Sequence, residues 1–158
     1  MALDPLASEF FFRSSIKKYI IDSLSTIEGK LVIFDSTILY EEVSTYNVDE
    51  WFVVNFGMFD RSLMSRNLIE INCCTRQDAE GVKLSKLTDL VVGYLTDTSM
   101  TDTMRRIAMY DATEIDPLNW TEIGKMLVLK FSEGFQNTTP DKTKVKTITP
   151  ILTWGSVV

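Results

Sequence analysis

The chain has 158 residues, 45% of them hydrophobic, with a formal charge of -6 and no histidine. That is enough to bury one ordinary core, which points to a single domain over residues 1–158. The acidic balance excludes coating of a nucleic-acid duplex, which needs Lys and Arg massed on one face, and the absence of imidazole removes the commonest general base.

Asp4-Pro5 has the form of an N-cap followed by proline at the first helical position. Phe12, Ile16, Tyr19, Ile20, Ser23, Leu24 and Ile27 then recur at helical spacing, so a long amphipathic helix ending before Gly29 is expected. Phe10 and Phe11 widen its apolar surface, either as core or as a patch offered to a neighbouring subunit. Leu31-Val32-Ile33-Phe34, bounded by Gly29 and Asp35-Ser36, reads as a strand. Residues 31–60 hold no Lys or Arg, while Asp35, Glu41, Glu42, Asp49, Glu50 and Asp60 give a local charge of -6, marking the acidic end of the molecule. Within it, residues 51–59 are apolar on both alternations: Phe52, Val54, Phe56 and Met58 against Trp51, Val53 and Phe59. That is the pattern of a strand covered on both sides.

The next strand alternates Ile69, Ile71, Cys73 and Thr75 against Glu70, Asn72, Cys74 and Arg76, which predicts one core face and one partly wet face. Adjacent cysteines on a strand point to opposite faces, so they should stay unpaired and behave as small buried apolar groups. Asp78 is placed to cap a following helix whose stripe is Leu84, Leu87, Val91, Tyr94 and Leu95. Residues 103–110 and 125–132 read as further strands, the second alternating Leu127, Leu129 and Phe131 against Val128 and Lys130, with Asp116-Pro117 as a turn between them. Residues 134–144 are polar and are expected to form a mobile loop. Strand formers return in a C-terminal arm, 145–158, where Pro150 restricts the segment to an edge or to two short pieces, and Lys142, Lys144 and Lys146 make it basic.

The seven glycines are scattered, so neither phosphate-cradling spacing is present, and no nucleophile elbow occurs. Asp60 with Glu70-Ile71-Asn72 resembles the D…E-x-K constellation of restriction-type, metal-dependent nucleases, but Asn72 stands where the lysine belongs and carries no cation. An ordinary exposed strand face is the expectation there. No apolar run approaches the roughly 18 residues that span a bilayer, and Asp4 and Glu9 lie where a secretion signal would be basic. A protein made and kept in a cytoplasm, with no membrane partner, is expected.

Taken in order, the N-terminal helix, the strand Trp51-Phe52-Val53-Val54-Asn55-Phe56-Gly57, the strand from Leu68 to Arg76, the helix with Leu87-Thr88-Asp89-Leu90-Val91, and Ile107-Ala108-Met109-Tyr110-Asp111 resemble tail-terminator proteins of long-tailed bacteriophages. The resemblance spans most of the chain and lies in order, size and pattern; residues 134–144 and the basic arm go beyond the minimal family pattern. It implies an α/β (α+β) fold with a mixed, largely antiparallel central sheet packed against the N-terminal helix and a second amphipathic helix. It further implies a virion protein that forms a ring, commonly six-fold, at the head-proximal end of the tail tube. Such a ring stops tube polymerisation, joins a head-completion protein, takes no cofactor or metal and performs no enzymatic step. The resemblance implies no specific nucleic-acid partner, the lumen being a passage for DNA. A small non-enzymatic adaptor, or another neck or tail-completion protein, is the alternative. Ring formation needs unlike patches on each subunit. Asp49, Glu50, Trp51 and Phe59 against Lys142, Lys144, Lys146 and Trp154 are the expected pair, and residues 35–49 and 134–144 are the expected tube-facing loops.

Overall fold

The computed structural model describes residues 3–35 and 48–155. Pro5 opens a short 3-10 turn, Pro5–Ala7, in which the Asp4 carboxylate accepts from the Leu6 amide at 3.0 Å. Helix α1, Glu9–Ile20, starts only after a second cap, where the Phe11 amide donates to Ser8 Oγ at 3.2 Å. The Asp4-Pro5 start signal therefore caps a separate turn. After Ile20 the helix widens into a π-helical stretch, Ile21–Ile27. There Ser23 Oγ donates to the carbonyls of Tyr19 and Ile20, at 2.7 and 3.3 Å, competing for acceptors that α-helical amides would use. The wider turn rotates the apolar stripe: Leu24 is buried, whereas Ile27, expected beside it, is 70% exposed. Phe10 is exposed and Phe11 packs against the core.

The strands are β1 (Leu31–Phe34), β2 (Glu50–Phe56), β3 (Met64–Thr75), β4 (Arg106–Asp111), β5 (Thr121–Glu133), β6 (Asn137–Thr138) and β7 (Lys144–Gly155), and α2 (Val82–Leu95) separates β3 from β4. They form one sheet in the order β1-β2-β3-β7-β5-β4, with β6 paired to the start of β7. Only β1 and β2 run parallel; the other pairs are antiparallel. This is the mixed, largely antiparallel sheet with two amphipathic helices that the sequence implies. Phe12, Ile16, Ile20 and Leu24 of the N-terminal helix and Leu84, Leu87, Val91 and Leu95 of α2 enter one core with Phe52, Ile71, Ile148 and Leu152 of the sheet. Each such fully buried side chain contributes about 1.5–3 kcal/mol. No helix of the described residues is long and apolar enough to cross a membrane.

Three strand expectations are corrected. The segment after Val145 is neither an edge nor two pieces: β7 lies between β3 and β5. Its ladder to β3 pairs Leu68 with Ile151 and Ile71 with Ile148 but has no pairs between them, and Pro150, which has no N–H to give, sits in that gap. The second face of β3 is wet at Arg66 and Glu70 but dry at Asn72 and Cys74, because Trp51, Val53, Cys74 and Val145 build a second, smaller apolar cluster there. In β5, Met126 and Val128 face the core, not Leu127 and Leu129. Register shifts at Met109/Tyr110 and Val128/Lys130 each insert a residue, so Ile123 and Phe131 join the face of Met126 and Val128.

The β3–α2 junction is set by Asp78. Its carboxylate accepts from the Lys83 and Leu84 amides at 3.1 and 2.9 Å and from Thr75 Oγ1 at 3.0 Å, across a turn that ends at Gly81 with φ +74°. Burial alone would raise this carboxyl, but the hydrogen bonds outweigh it and hold the pKa below its usual value. The stabilisation is present above the ordinary carboxylate value of 3.8 and is lost as the pH falls below it. Asp78→Ala is expected to cost about 1–3 kcal/mol at neutral pH, read from the urea midpoint, with the deficit shrinking in acid.

Cys73 lies in the main core and Cys74 in the smaller cluster, both fully buried and unpaired. Burial pushes the Cys73 thiol from its ordinary 9.0 up to about 12 and raises Cys74 as well. Unfolded thiols ionise first, so folding stability falls as the pH rises above 9.0. Both thiols should resist a disulfide reagent at pH 8 and react together once denaturant unfolds the chain; fast labelling of the native protein would contradict this burial.

Candidate interaction site

Where the sheet ends at Thr75, the chain turns through Arg76, Gln77, Asp78 and Ala79 into α2, and the β6–β7 connection folds back opposite it. Between them lies a cleft of about 660 Å³ lined by those four residues and by Thr138, Asp141, Lys142 and Lys144. Both walls contain a non-glycine residue in the left-handed region, Gln77 at φ +52° and Lys142 at φ +66°. The segment expected as a mobile loop is internally bonded. The Lys142 amide donates to the Thr139 carbonyl at 2.9 Å, the Thr143 amide to Asp141 Oδ1 at 3.2 Å, and Thr139 Oγ1 to the same carboxylate.

The cleft carries three cations and two carboxylates. Asp78 is occupied by the helix cap. Asp141 would be raised by burial, but bonds from Thr139 and Thr143 and the nearby Arg76 guanidinium hold its pKa down. Arg76 lies 3.6 Å from Asp141 and 4.9 Å above the Trp51 ring, so one guanidinium joins the cleft wall to the smaller apolar cluster. Lys142 is exposed and Lys144 half-buried, and neither forms an ion pair among the described residues. The arrangement suits an acidic group brought by a partner.

The residues expected at a subunit boundary divide into three sets. Lys142 and Lys144 come together at the cleft, whereas Lys146 is tied to Glu133 at 3.3 Å. Asp49 and Glu50 lie at this same end: Glu50 pairs with Thr75, and Thr75 with Lys144, in one row across three strands. That row spans about 10 Å. Glu50 is bridged to Lys30 at 2.6 Å, and Asp49 lies 4.0 Å from Lys83. Acidic and basic groups expected to face each other across a subunit boundary thus share one end of one subunit, so this pair does not supply the two separate patches of a ring contact. Residues 36–47, with Glu41 and Glu42, lie outside the described residues.

The aromatic members are also corrected. Trp51 and Trp154 are buried, not offered to a neighbour. The Trp154 indole N–H donates to the Leu6 carbonyl at 2.7 Å, and its ring stacks on Phe12 at 5.2 Å. Phe59 is half-buried against both. Asn72, expected on a partly wet face, donates through Nδ2 to the Val53 carbonyl at 3.1 Å and accepts from Thr147 Oγ1 at 2.6 Å, so it is a strand-to-strand tie.

Sequence reading missed the other end of the strands. The β2–β3 connection exposes Met58 and Leu63, with Met64 exposed at the start of β3, and the β4–β5 connection exposes Ile115 and Leu118. An available signal was apolar residues set among turn formers, as in Glu114-Ile115-Asp116-Pro117-Leu118.

Because Trp154 serves the core, Trp154→Ala should lower stability by about 3–5 kcal/mol in urea unfolding, whether or not the chain is assembled. An unchanged midpoint would return this side chain to the surface.

No protein-family model matches the chain. No curated protein matches it. A solved structure whose name carries no function is similar to it in fold, covering 96% of this chain and 98% of that one, with a TM-score of 0.60 at 10% identity.

Proposed function

We propose that this chain is a non-enzymatic ring subunit of a phage tail, acting as a tail terminator: it caps the tube at its head-proximal end and offers a surface for head joining. Two lines support the reading. The order of elements resembles that family over most of the chain. The observation that carries the assembling role is the exposure of apolar side chains on connections at one end of the strands. Met58 is 82% exposed, Leu63 72% and Ile115 100%. Apolar groups exposed on loops mark protein contacts, and a subunit that binds the tube on one face while lacking a tube-recruiting edge on the other stops growth without chemistry.

Electron microscopy of the purified chain at high concentration, with and without tail tubes, tests this. Rings, or caps at one end of each tube, are expected. Met58→Asp with Leu63→Asp should remove capping while leaving the unfolding midpoint within about 0.5 kcal/mol, since both side chains already face water. Tubes that stay uncapped by wild type, or turnover of a substrate by the pure protein, would reject the proposal.

A further inference from the structure

Among the described residues, Lys142 and Lys144 at the cleft have no ion-pair partner, and neither do Glu114 and Asp116 on the β4–β5 connection. The fold puts the two sets at opposite ends. Nine residues of β7 separate Lys144 from Thr153, about 30 Å. From Leu127, the partner of Thr153, β5 runs on to Thr121 before the connection begins. One copy therefore cannot bring its own loop to its own cleft.

The connection is preformed. The Trp120 indole N–H donates to the Glu114 carbonyl at 2.6 Å, and Asp116 caps the 3-10 turn Pro117–Asn119 through the Leu118 amide at 3.0 Å. That frame holds Ile115 and Leu118 out in solvent, 100% and 89% exposed, with a carboxylate on either side of Ile115. Presenting apolar anchors on an ordered turn lowers the entropic cost of docking. The cleft is complementary: about 660 Å³, within the usual size of a binding pocket, with Ala79 and the lysine stems for apolar contact and the ammonium groups for the acids.

We infer that the β4–β5 connection of one copy docks in the cleft of a second copy, with Ile115 and Leu118 against its walls and Glu114 and Asp116 facing Lys142 and Lys144. This deepens the ring reading and rests on it. A loop at one end and a cleft at the other make a heterologous contact, which closes into a ring when the rotation per subunit allows. The acidic partner of the basic cleft is thus the 114–116 tip, not Asp49 and Glu50, which share the cleft's end of the same subunit.

Sedimentation velocity of the full chain at low ionic strength tests the contact, using wild type, Lys142→Glu/Lys144→Glu, Glu114→Lys/Asp116→Lys, and an equal mixture of the two variants. Wild type is expected to self-associate, more weakly as salt is added. Each variant alone should associate at least about 100-fold more weakly, because every loop then meets a cleft of its own sign. The mixture should recover, since each loop again finds an opposite cleft in the other variant, which a folding defect would not allow. Variants that associate like wild type, a mixture no better than its parts, or wild type monomeric at about 1 mM would each overturn the contact. Tube capping by the same wild-type sample separates the outcomes: capping without this contact leaves the ring reading standing, and neither capping nor association rejects both.

Discussion

The molecule depends on the insertion of β7 between β3 and β5. Without it the sheet falls into two parts, β1-β2-β3 and β5-β4, neither of which carries the whole core. This last strand brings Ile148, Leu152 and Trp154 into the interior, and through the indole bond to the Leu6 carbonyl it also fastens the amino-terminal turn. Its partners are far away in sequence, with Cys73 opposite Lys146 and Leu127 opposite Thr153, so loop-closure entropy is spent before the pairing returns any stability. The proline within it is accommodated locally. The ladder to β3 is interrupted beside Pro150, while pairing to β5 continues at Phe131.

The same strand sets the geometry of the two ends. Both helices pack on one face, and among the described residues the other face carries the small cluster around Trp51 and Cys74. The strands are therefore left to define the long dimension, with polar, charged turns where β3 and β6 stop and apolar, acidic connections where β2 and β4 stop. The charges at the first end are partly matched within the subunit, through Arg76 with Asp141, Lys83 with Asp49 and Lys30 with Glu50. Lys142 and Lys144 at that end and Glu114 and Asp116 at the other have no ion-pair partner among the described residues and lie apart by the length of β7, and unlike patches on one subunit are the condition for directional association of identical copies.

Much of the fold was legible in local pattern. The alternation in β3, the buried run Trp51 to Val54, the stripe of α2 and the reach of Asp78 to its helix all follow from side-chain periodicity and from a carboxylate four residues before the helix start. The reading failed where one residue changes the parity of a strand. Two register shifts in β5 put Ile123 and Phe131 on the face of Met126 and Val128, so a single alternation from Leu127 through Phe131 cannot hold across the strand. It failed again at Pro150, because the rule against proline in a central strand assumes that every amide is needed by a neighbour, and here the ladder to β3 skips two positions, Pro150 among them. The π-helical turn after Ile20 was likewise hidden, since Ser23 reads as a helix-neutral residue until its hydroxyl is seen to take two backbone acceptors.

The candidate site divides in the same way. Sequence alone determined that the chain has an acidic tract, a basic arm, no imidazole and two thiols on opposite strand faces, because composition and period are properties of neighbouring residues. Which charges remain unmatched, which tryptophans face solvent and which connections share an end were decided only by tertiary structure. Those properties depend on the pairing of residues far apart in the chain: Glu50, Thr75 and Lys144 become one row only when β2, β3 and β7 lie side by side.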